Sequence, residues 1–290
     1  MEGEDMGTVT TDPPATETRK NDSSQDMPSK RSRVIVDILE RTKSCNAPSG
    51  HLLGNFPLYY AAEFNPPEKR MQVFQEDFWT SLVQSIDPNA SGEKHLTLLD
   101  IGCNDGTLTS AFRKALMVAG ASSVEAVGVD VDPSLIDRAN ASFPNCTFFA
   151  GDCAAEDPLP VLEIKTFDIV MCFGTTMWVH LNHGDAGLSR LLERLRDATN
   201  HALLLEPQQW KSYRKAKRRL RVANASIPAS FFQIKIEGEE AILAHVNEVI
   251  CAKLSQKQIV GKTAWGRTIF VFQRHSAPSL TVPTEVRPCA

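Results

Sequence analysis

The amino-acid sequence predicts an α/β fold, in which a mixed seven-stranded sheet carries helices on both faces and ends in an antiparallel C-terminal hairpin. Two observations lead to this prediction. From Leu96 onward, short apolar runs alternate with helical segments, as they do in parallel βαβ units. Near the end of the chain, two more apolar runs flank a short loop with Trp265 and Gly266, a pattern typical of an antiparallel pair.

Each element has its own signal. Runs of strand length and composition predict parallel strands at residues 96–101, 124–129, 147–150, 167–173 and 202–205. Segments with helical spacing lie between them at residues 108–118, 135–141 and 187–199. The hairpin strands are expected at residues 258–262 and 268–272. A Pro-punctuated aromatic leader from Gly54 opens a further helical pattern that runs through Leu82.

The composition indicates one main domain with a tail at each end. The chain has 290 residues, of which 42% are hydrophobic, enough for one sizeable core. We expect one folded domain at residues 51–275, a disordered tail at residues 1–50 and a flexible tail at residues 276–290. The first tail is rich in polar residues and cannot bury enough apolar surface to offset the entropy of ordering.

Composition also excludes several classes of protein. The seven cysteines form no CxxC pair and no zinc-finger spacing, and the N-terminus is acidic, so we expect reduced thiols and a cytoplasmic protein. The short basic segment 30–33 leaves the nucleus as an alternative location. No apolar run approaches the roughly 18 residues that a bilayer span needs, so no membrane partner is expected. We expect a monomer. The formal net charge of −4 conceals one dense basic run, at residues 210–221.

A glycine loop after the first predicted strand indicates a cofactor site. Residues 98–106 read LLDIGCNDG, a strand that runs into Gly102 and then into a helix, where backbone can approach a ligand closely. A dinucleotide site would show G-x-G-x-x-G, whereas this loop reads D-x-G-x-x-x-G and carries the side chain of Asn104. The loop suits a methionine tail better than a pyrophosphate.

Carboxylates follow the next two predicted strands. Asp130 ends the second strand, where it can accept hydrogen bonds from both hydroxyls of a ribose, while Asp132 before Pro133 is expected to cap the next helix. Asp152 follows the third strand and can accept from an adenine amino group, although a turn aspartate is the alternative. Because the carboxyl ends of parallel strands share one edge of a sheet, these groups are expected to form one site.

Two segments beyond the fourth strand resemble a known family. Residues 176–188, TMWVHLNHGDAGL, and residues 205–213, LEPQQWKSY, resemble the bicoid-interacting family of RNA 5′-phosphate methyltransferases, and the likeness extends from Gly54 to Arg274. The resemblance implies a class I, Rossmann-like methyltransferase that uses S-adenosylmethionine. It also implies which residues contact this cofactor: Arg70, Gly102, Asn104, Asp130, Asp152, Cys153 and Phe173. Phe173 has simple core packing as its alternative.

The resemblance also suggests the methyl acceptor. The chain is most similar to family members that act on the 5′ monophosphate of histidine tRNA and microRNA precursors, and the relatives that cap a 5′ triphosphate are the alternative. A phosphate monoester is already an anion near pH 7, so the reaction needs oriented donors rather than a general base. The family motifs place such donors at Tyr59, His180, Asn182, Lys211 and Tyr213.

The basic run completes the predicted RNA site. Residues 210–221 contain seven Lys or Arg and no acid, with Trp210 and Tyr213 placed to stack on a terminal base. We expect RNA contacts from Trp210, Arg214, Arg218, Arg219 and Arg221, with a solvated helix face as the alternative. A methyltransferase for proteins or small molecules and a catalytically silent RNA-binding module are the competing functions.

The two histidines of the first segment leave a structural and a metal alternative open. His180 and His183 with Asp185 can be polar residues at a helix entrance, Asp185 being the N-cap. The same three residues suit a metal by type, but no further ligand lies nearby in the sequence and the chemistry needs no Lewis acid, so no metal is expected.

Overall fold

A computed structural model describes residues 67–86, 92–157, 159–222, 229–274 and 280. Within these residues, seven strands form one sheet in the order β3-β2-β1-β4-β5-β7-β6. The strands are β1 (His95–Ile101), β2 (Ser123–Asp130), β3 (Cys146–Ala150), β4 (Phe167–Phe173), β5 (Thr199–Glu206), β6 (Leu254–Lys262) and β7 (Thr268–Arg274). This arrangement confirms the predicted mixed sheet.

Helices cover both faces of the sheet. They are α1 (Pro67–Met71), α2 (Glu76–Ser85), α3 (Thr107–Val118), α4 (Pro133–Ser142), α5 (Pro160–Ile164), α6 (Thr176–Ala198), α7 (Trp210–Val222) and α8 (Glu239–Ile250), with a 3-10 helix at Ala229–Gln233. Helices α2, α3 and α4 pack on one face, and helices α5 to α8 pack on the other. Each layer packs a large cluster of apolar side chains against the sheet, so the central strands are buried on two sides.

Successive residues of each strand feed the two cores alternately. On β1, Leu98 packs in the layer of α2 to α4 and Leu99 in the layer of α5 to α8, and both are fully buried. This period of two follows from the pleat of a strand. The strands β1 to β5 run parallel to one another, so their carboxyl ends meet along one side, which we call the carboxyl edge.

The last two strands close the sheet in the opposite direction. Strand β7 pairs antiparallel with β5 on one side and with β6 on the other. The predicted hairpin is confirmed, although β6 begins at Leu254, earlier than its apolar pattern. After Leu254 the strand continues with four polar residues, at 255–258, so the apolar pattern starts only at Ile259.

Helix α6 begins well before the predicted start at residue 187. It runs from Thr176 to Ala198 and is interrupted at Gly184, whose φ of 64° and ψ of −166° lie outside helical geometry. The leucine stripe marks the half of α6 after this break. The half before it carries Met177, Val179 and Leu181 in the core, and their mixed spacing with polar residues hid the helix from the sequence pattern.

Several predictions concern residues outside the described part of the chain. The tail at residues 1–50, the leader up to residue 66 and the boundary of the domain at residue 51 all lie there. In the predicted C-terminal tail only Leu280 is described; it is buried and its N–H donates to Gln273 Oε1. None of the helices that the structure describes is both long enough and apolar enough to cross a bilayer.

Candidate active site

The loop between β1 and α3 turns sharply at the carboxyl edge. Gly102, Asn104 and Gly106 have positive φ angles of 81°, 51° and 78°. Glycine adopts this region without a steric penalty, and asparagine does so more readily than other side chains. The N–H groups of Gly102 and Cys103 both donate to Val129 O, which holds the loop against the end of β2.

The segment between β4 and α6 also packs closely against this loop. A Cβ atom on Gly102 would lie 2.0 Å from Thr175 Oγ1, in the segment between β4 and α6. On neighbouring β2, a Cβ on Gly128 would lie 2.5 Å from the Phe148 ring. Both positions therefore require glycine for packing, and Gly102 requires it for its backbone conformation as well.

Asp130 lies at the end of β2, as predicted, and supports the loop. Its Oδ2 accepts from the N–H of Asn104 at 2.9 Å and its Oδ1 accepts from the N–H of Asp132 at 3.1 Å. Burial raises the pKa of this carboxyl group, although these backbone hydrogen bonds oppose the shift. Asp132 caps α4 by accepting from the N–H of Ser134, which confirms its predicted structural role.

Asp100 contributes a buried carboxyl group that the sequence did not single out as a site residue. It is 2% exposed and accepts from Thr109 Oγ1 at 2.5 Å, so that it joins β1 to α3. Burial raises its pKa to about 7, against the opposing effect of that hydrogen bond and of the positive charge on Arg70. The only sequence signal was its position in the LDIGCN segment.

Asp152 follows β3 and pairs with a histidine from α6. Its Oδ1 accepts from the N–H of Ala154 at 2.9 Å, and its Oδ2 lies 2.7 Å from His183 Nε2. Burial acts to raise the pKa of Asp152, but the hydrogen bonds from His183 and Ala154 outweigh it and hold the pKa below its usual value. The neighbouring Cys153 is buried in the core.

Arg70 and Glu206 form a fully buried ion pair across the carboxyl edge. Arg70 Nε donates to Glu206 Oε2 at 2.7 Å, while Trp265 Nε1 and an Arg267 guanidinium nitrogen donate to Glu206 Oε1 at 3.1 and 3.2 Å. The Arg70 guanidinium carbon lies 5.0 Å from the Trp265 ring centroid. The pairing joins α1, β5 and the β6–β7 hairpin, and no local pattern in the sequence could reveal it.

Phe173, at the end of β4, belongs to the core as much as to the site. It is 7% exposed, its ring centroid lies 5.6 Å from that of Phe112, and the Arg70 guanidinium carbon lies 5.6 Å from it on the other side. The alternative of core packing is therefore observed, and the Phe173 ring also packs against the Arg70 guanidinium group.

His180 and Tyr213 are placed together by the fold, but both are buried. His180 Nδ1 lies 3.0 Å from the Tyr213 hydroxyl, and His180 Nε2 lies 2.8 Å from Asp185 Oδ1. Asp185 also accepts from the N–H groups of Lys235 and Ile236. The carboxylate therefore joins α6 to the segment before α8, and the N-cap of α6 is Thr175, not Asp185 as considered from the sequence.

The protonation of this network follows from its partners. Burial lowers the pKa of His180, although Asp185 acts in the opposite direction. A neutral His180 that donates from Nε2 to the carboxylate must accept at Nδ1, so the Tyr213 hydroxyl donates to it. Burial likewise raises the pKa of Tyr213 well above its usual value, which keeps the hydroxyl protonated.

This network corrects two predicted roles. His180 is 0% and Tyr213 2% exposed, and their polar atoms are bonded to each other, so neither is a surface donor to a phosphate and Tyr213 offers no face for a base. Their hydrogen bond fixes α7 against α6 instead. Asn182 is half-buried and Lys211 is exposed, and their donor roles stay predictions, while Tyr59 lies outside the described residues.

Helix α7 presents its basic side chains to solvent. Tyr213 and Ala216 are buried on its inner side, and Trp210 is half-buried with its ring centroid 4.8 Å from that of Tyr213. The exposed residues form one side of the helix: Lys211, Arg214, Lys215 and Arg218, which we call the basic face. Arg219 and Arg221 lie on the same helix, but their side chains lie outside the described part.

Comparisons with known proteins agree with this geometry. The family model of Bicoid-interacting protein 3 (Bin3) matches residues 167–274, and a model described as a methyltransferase domain matches residues 98–198. A pre-miRNA 5′-monophosphate methyltransferase of Xenopus laevis is 36% identical over 241 residues, covering 77% of this chain and 92% of that relative. The chain belongs to the Bin3 family.

Two further Bin3 relatives show similar likeness. A pre-miRNA 5′-monophosphate methyltransferase of Danio rerio is 37% identical over 241 residues, covering 76% of this chain and 91% of its own. The RNA 5′-monophosphate methyltransferase of Homo sapiens is 33% identical over 253 residues, covering 78% and 82% of the two chains. The Bin3 chain described here is thus an S-adenosylmethionine-dependent methyltransferase of class I fold, as its sequence predicted.

The carboxyl edge of this Bin3 methyltransferase fits its cofactor. The loop at Gly102 to Gly106 turns sharply at this edge, where backbone can come close to a ligand, and Asp130 and Asp152 supply carboxylate oxygens that accept from hydroxyl and amino groups. S-adenosylmethionine supplies an electrophilic methyl group when it is bound. In the described part of the chain, no group of three or more His, Cys, Asp or Glu residues is arranged to hold a metal ion.

One more residue missed from the sequence orders the entrance of α6. Gln208 is buried, its Oε1 accepts from Thr176 Oγ1 and from the N–H of Met177 at 2.8 Å each, and its amide nitrogen donates to Gly174 O. It therefore fixes the end of β5 to the start of α6. Its signal in the sequence is the EPQQW segment, in which Gln208 comes two positions after the end of a buried strand.

Proposed function

We propose that this protein transfers a methyl group from S-adenosylmethionine to the 5′ monophosphate of small RNAs. The observation that carries the proposal is the basic face of α7, which starts directly after β5 at the carboxyl edge. Trp210 begins α7 four positions after the buried Glu206 at the end of β5, so the start of this helix is at the same edge of the sheet as the cofactor loop. The relatives' described activity supports the same acceptor.

The basic face suits a polyanion with a free end. Four exposed cations lie on one side of the helix, while the formal charge of the whole chain is −4. Most of the affinity of such a surface for RNA comes from contacts to phosphates and is sequence-independent. Trp210, half-buried at the start of the helix, is the residue we assign to stacking on the terminal base.

The reaction needs positioning more than proton transfer. The second pKa of a phosphate monoester is near 6, so one of its oxygens is already an anion at neutral pH and can attack without a base. Lys211 and Asn182 are the described donors that we assign to orienting the phosphate. His180 and Tyr213 act indirectly in this proposal, because their hydrogen bond holds the helix that carries Lys211.

Finer features of the substrate belong to the same proposal. We infer that histidine tRNA and microRNA precursors are the substrate class, in agreement with the pre-miRNA named for two of the relatives. We also propose that the protein acts as a monomer, since one chain supplies both the cofactor loop and the basic face. Analytical ultracentrifugation with and without RNA tests this second point; a dimer at working concentration would contradict it.

The acceptor is tested by changing only the 5′ end of one RNA. A transcript with a 5′ monophosphate, the same transcript treated with phosphatase, and the treated transcript rephosphorylated by a kinase are incubated with labelled cofactor. We expect labelling of the first and third samples only. Equal labelling of the dephosphorylated RNA would contradict a phosphate acceptor, and a strong preference for a 5′ triphosphate would indicate the capping activity instead.

A further inference from the structure

His183 lies at the carboxyl edge for a structural reason that is specific to this segment. Gly184 interrupts α6 directly after it, at a backbone conformation that only glycine adopts readily. One turn later, a Cβ on Gly187 would lie 2.0 Å from the Cβ of His183. The sequence HGDAG therefore bends the helix and clears space, and the His183 side chain occupies that space.

The side chain that is placed in this way contacts Asp152. His183 Nε2 lies 2.7 Å from Asp152 Oδ2, and the two side chains are 21% and 11% exposed. A carboxylate only accepts hydrogen bonds, so the proton of this contact is on Nε2. Because the pair is partly buried, rotation of Asp152 away from its present orientation would cost a charge-assisted hydrogen bond.

The carboxylate retains capacity for a ligand. Its Oδ1 accepts from the N–H of Ala154 and its Oδ2 from His183, whereas two carboxylate oxygens offer about four acceptor positions. The hydrogen bonds that lower the pKa of Asp152 keep it ionised at neutral pH, and an ionised carboxylate selects donors. The amino group of an adenine bound beside the end of β3 would be such a donor.

We propose that His183 fixes the Asp152 carboxylate as the acceptor for the adenine amino group, which makes His183 a positioning residue of the cofactor site. This inference rests on the proposed function, since it assumes that the adenine lies beside β3. It assigns the two histidines of α6 to different tasks. His180 holds helix α7, and His183, one turn further on, holds a carboxylate of the cofactor site.

Calorimetry without RNA tests the proposal directly. The probes are S-adenosylhomocysteine and S-inosylhomocysteine, in which a carbonyl oxygen replaces the adenine amino group. We expect the wild-type protein to prefer the adenosyl compound. His183→Ala should lower affinity for that compound by about tenfold, the size of one lost hydrogen bond to a charged group, and should reduce the preference between the two. His183→Gln, whose amide can still donate, should retain most of the affinity for the adenosyl compound and most of the preference for it.

A matched control and a kinetic measurement separate positioning from general damage. His245, on α8, has its Nε2 2.9 Å from Oγ of Ser189, which lies on α6 as His183 does. His245→Ala therefore removes a histidine hydrogen bond to α6 that does not involve Asp152, and it should leave cofactor affinity unchanged. In methyl transfer, His183→Ala should raise KM for the cofactor and leave kcat at saturating cofactor within about twofold. A raised KM for RNA with normal cofactor affinity would overturn the proposal.

Asp152→Asn tests the location of the adenine separately from the positioning role of His183. If this variant binds the adenosyl compound weakly while His183→Ala binds it normally, the positioning role of His183 is wrong and the adenine site stands. If both variants bind normally, the adenine does not lie at Asp152. Failure of the proposed function is recognised separately, as absence of methyl transfer to 5′-phosphorylated RNA by the wild-type protein.

Discussion

At the scale of single residues, the buried carboxyl groups of the carboxyl edge differ in protonation because they differ in their partners. Asp152 receives hydrogen bonds from a histidine and a backbone N–H, and its pKa is lowered. Asp100 is more deeply buried, has one hydroxyl donor, and has its pKa raised to about 7. The protein therefore has a proton on Asp100 in slightly acidic solution, directly beneath the cofactor loop.

The first prediction concerns the pH dependence of folding caused by Asp100. In the unfolded chain an aspartate has a pKa near 3.9, so between about pH 4 and pH 7 the folded state binds the extra proton. The contribution of Asp100 to stability is therefore greatest at the acidic end and falls as pH rises through this range. The slope is at most about 1.4 kcal/mol per pH unit.

Asp100→Asn, which imitates the protonated group, should remove this slope. Denaturant unfolding at several pH values measures it as the difference between wild type and variant. Asp137→Asn, an exposed change on α4, serves as the control. A wild-type-to-variant difference that stays constant from pH 4 to pH 7 would show that Asp100 does not titrate there.

Residue positions at strand ends could be predicted from sequence, and long-range pairings could not. Asp130 ends β2 and Asp132 lies two positions after it, so the predicted strand was enough to locate both residues. Arg70 and Glu206 are 136 positions apart, and only the folded sheet shows that they meet. Likewise, His180 and Tyr213 were recognised as polar and near the site, but their burial against each other depends on packing that no local pattern contains.

The second prediction tests that buried pair. Tyr213→Phe leaves His180 Nδ1 without its donor in a buried place, which should lower the free energy of unfolding by about 1–3 kcal/mol. The KM for RNA should rise, because α7 and its basic face are held less firmly. If Tyr213 instead donated directly to the phosphate, kcat would fall with stability unchanged, so unfolding and steady-state kinetics together decide between the roles.

At the scale of elements, α6 is the helix that connects the two parts of the site. Its half before Gly184 bears His180 and His183, and its half after Gly184 bears the leucine stripe that packs in the core. The sequence predicted only the second half, since only that half repeats at helical spacing. The first half is ordered by tertiary contacts, including those of Gln208 at its start.

The third prediction concerns the break itself. Gly184 has φ 64° and ψ −166°, so Gly184→Ala should cost about 1–3 kcal/mol in strain and should displace His183 and Asp185. Thermal unfolding measures the first effect and cofactor affinity the second. Gly92→Ala is the matched control, because a Cβ there meets nothing within 4 Å and its φ is not in the positive region. Equal melting temperatures for the two variants would argue against a strained break.

At the scale of the whole molecule, charge is distributed unevenly. The chain has 31 basic and 35 acidic residues, yet the basic face of α7 collects exposed cations on one side of a helix at the carboxyl edge. A local field of this kind attracts a polyanion whatever the sign of the net charge. The sequence revealed the run of basic residues, and the structure adds which of them point outward.

The fourth prediction follows from this distribution. Arg214→Glu combined with Arg218→Glu should raise KM for RNA and flatten its salt dependence, each single-strand phosphate contact contributing a slope of about 0.7 in log affinity against log salt. Lys114→Glu with Arg138→Glu, exposed on α3 and α4, changes the net charge equally and is the control. An unchanged slope in the α7 variant would make the basic face an ordinary solvated surface.

The position of β7 has a consequence for how the protein is made. This strand is the last of the sheet to leave the ribosome, yet it lies between β5 and β6. Until it emerges, β5 presents an unpaired backbone edge with apolar residues such as Leu203 and Leu205, the kind of edge that recruits other chains. A nascent chain stalled before residue 268 is thus exposed to aggregation through the open edge of β5.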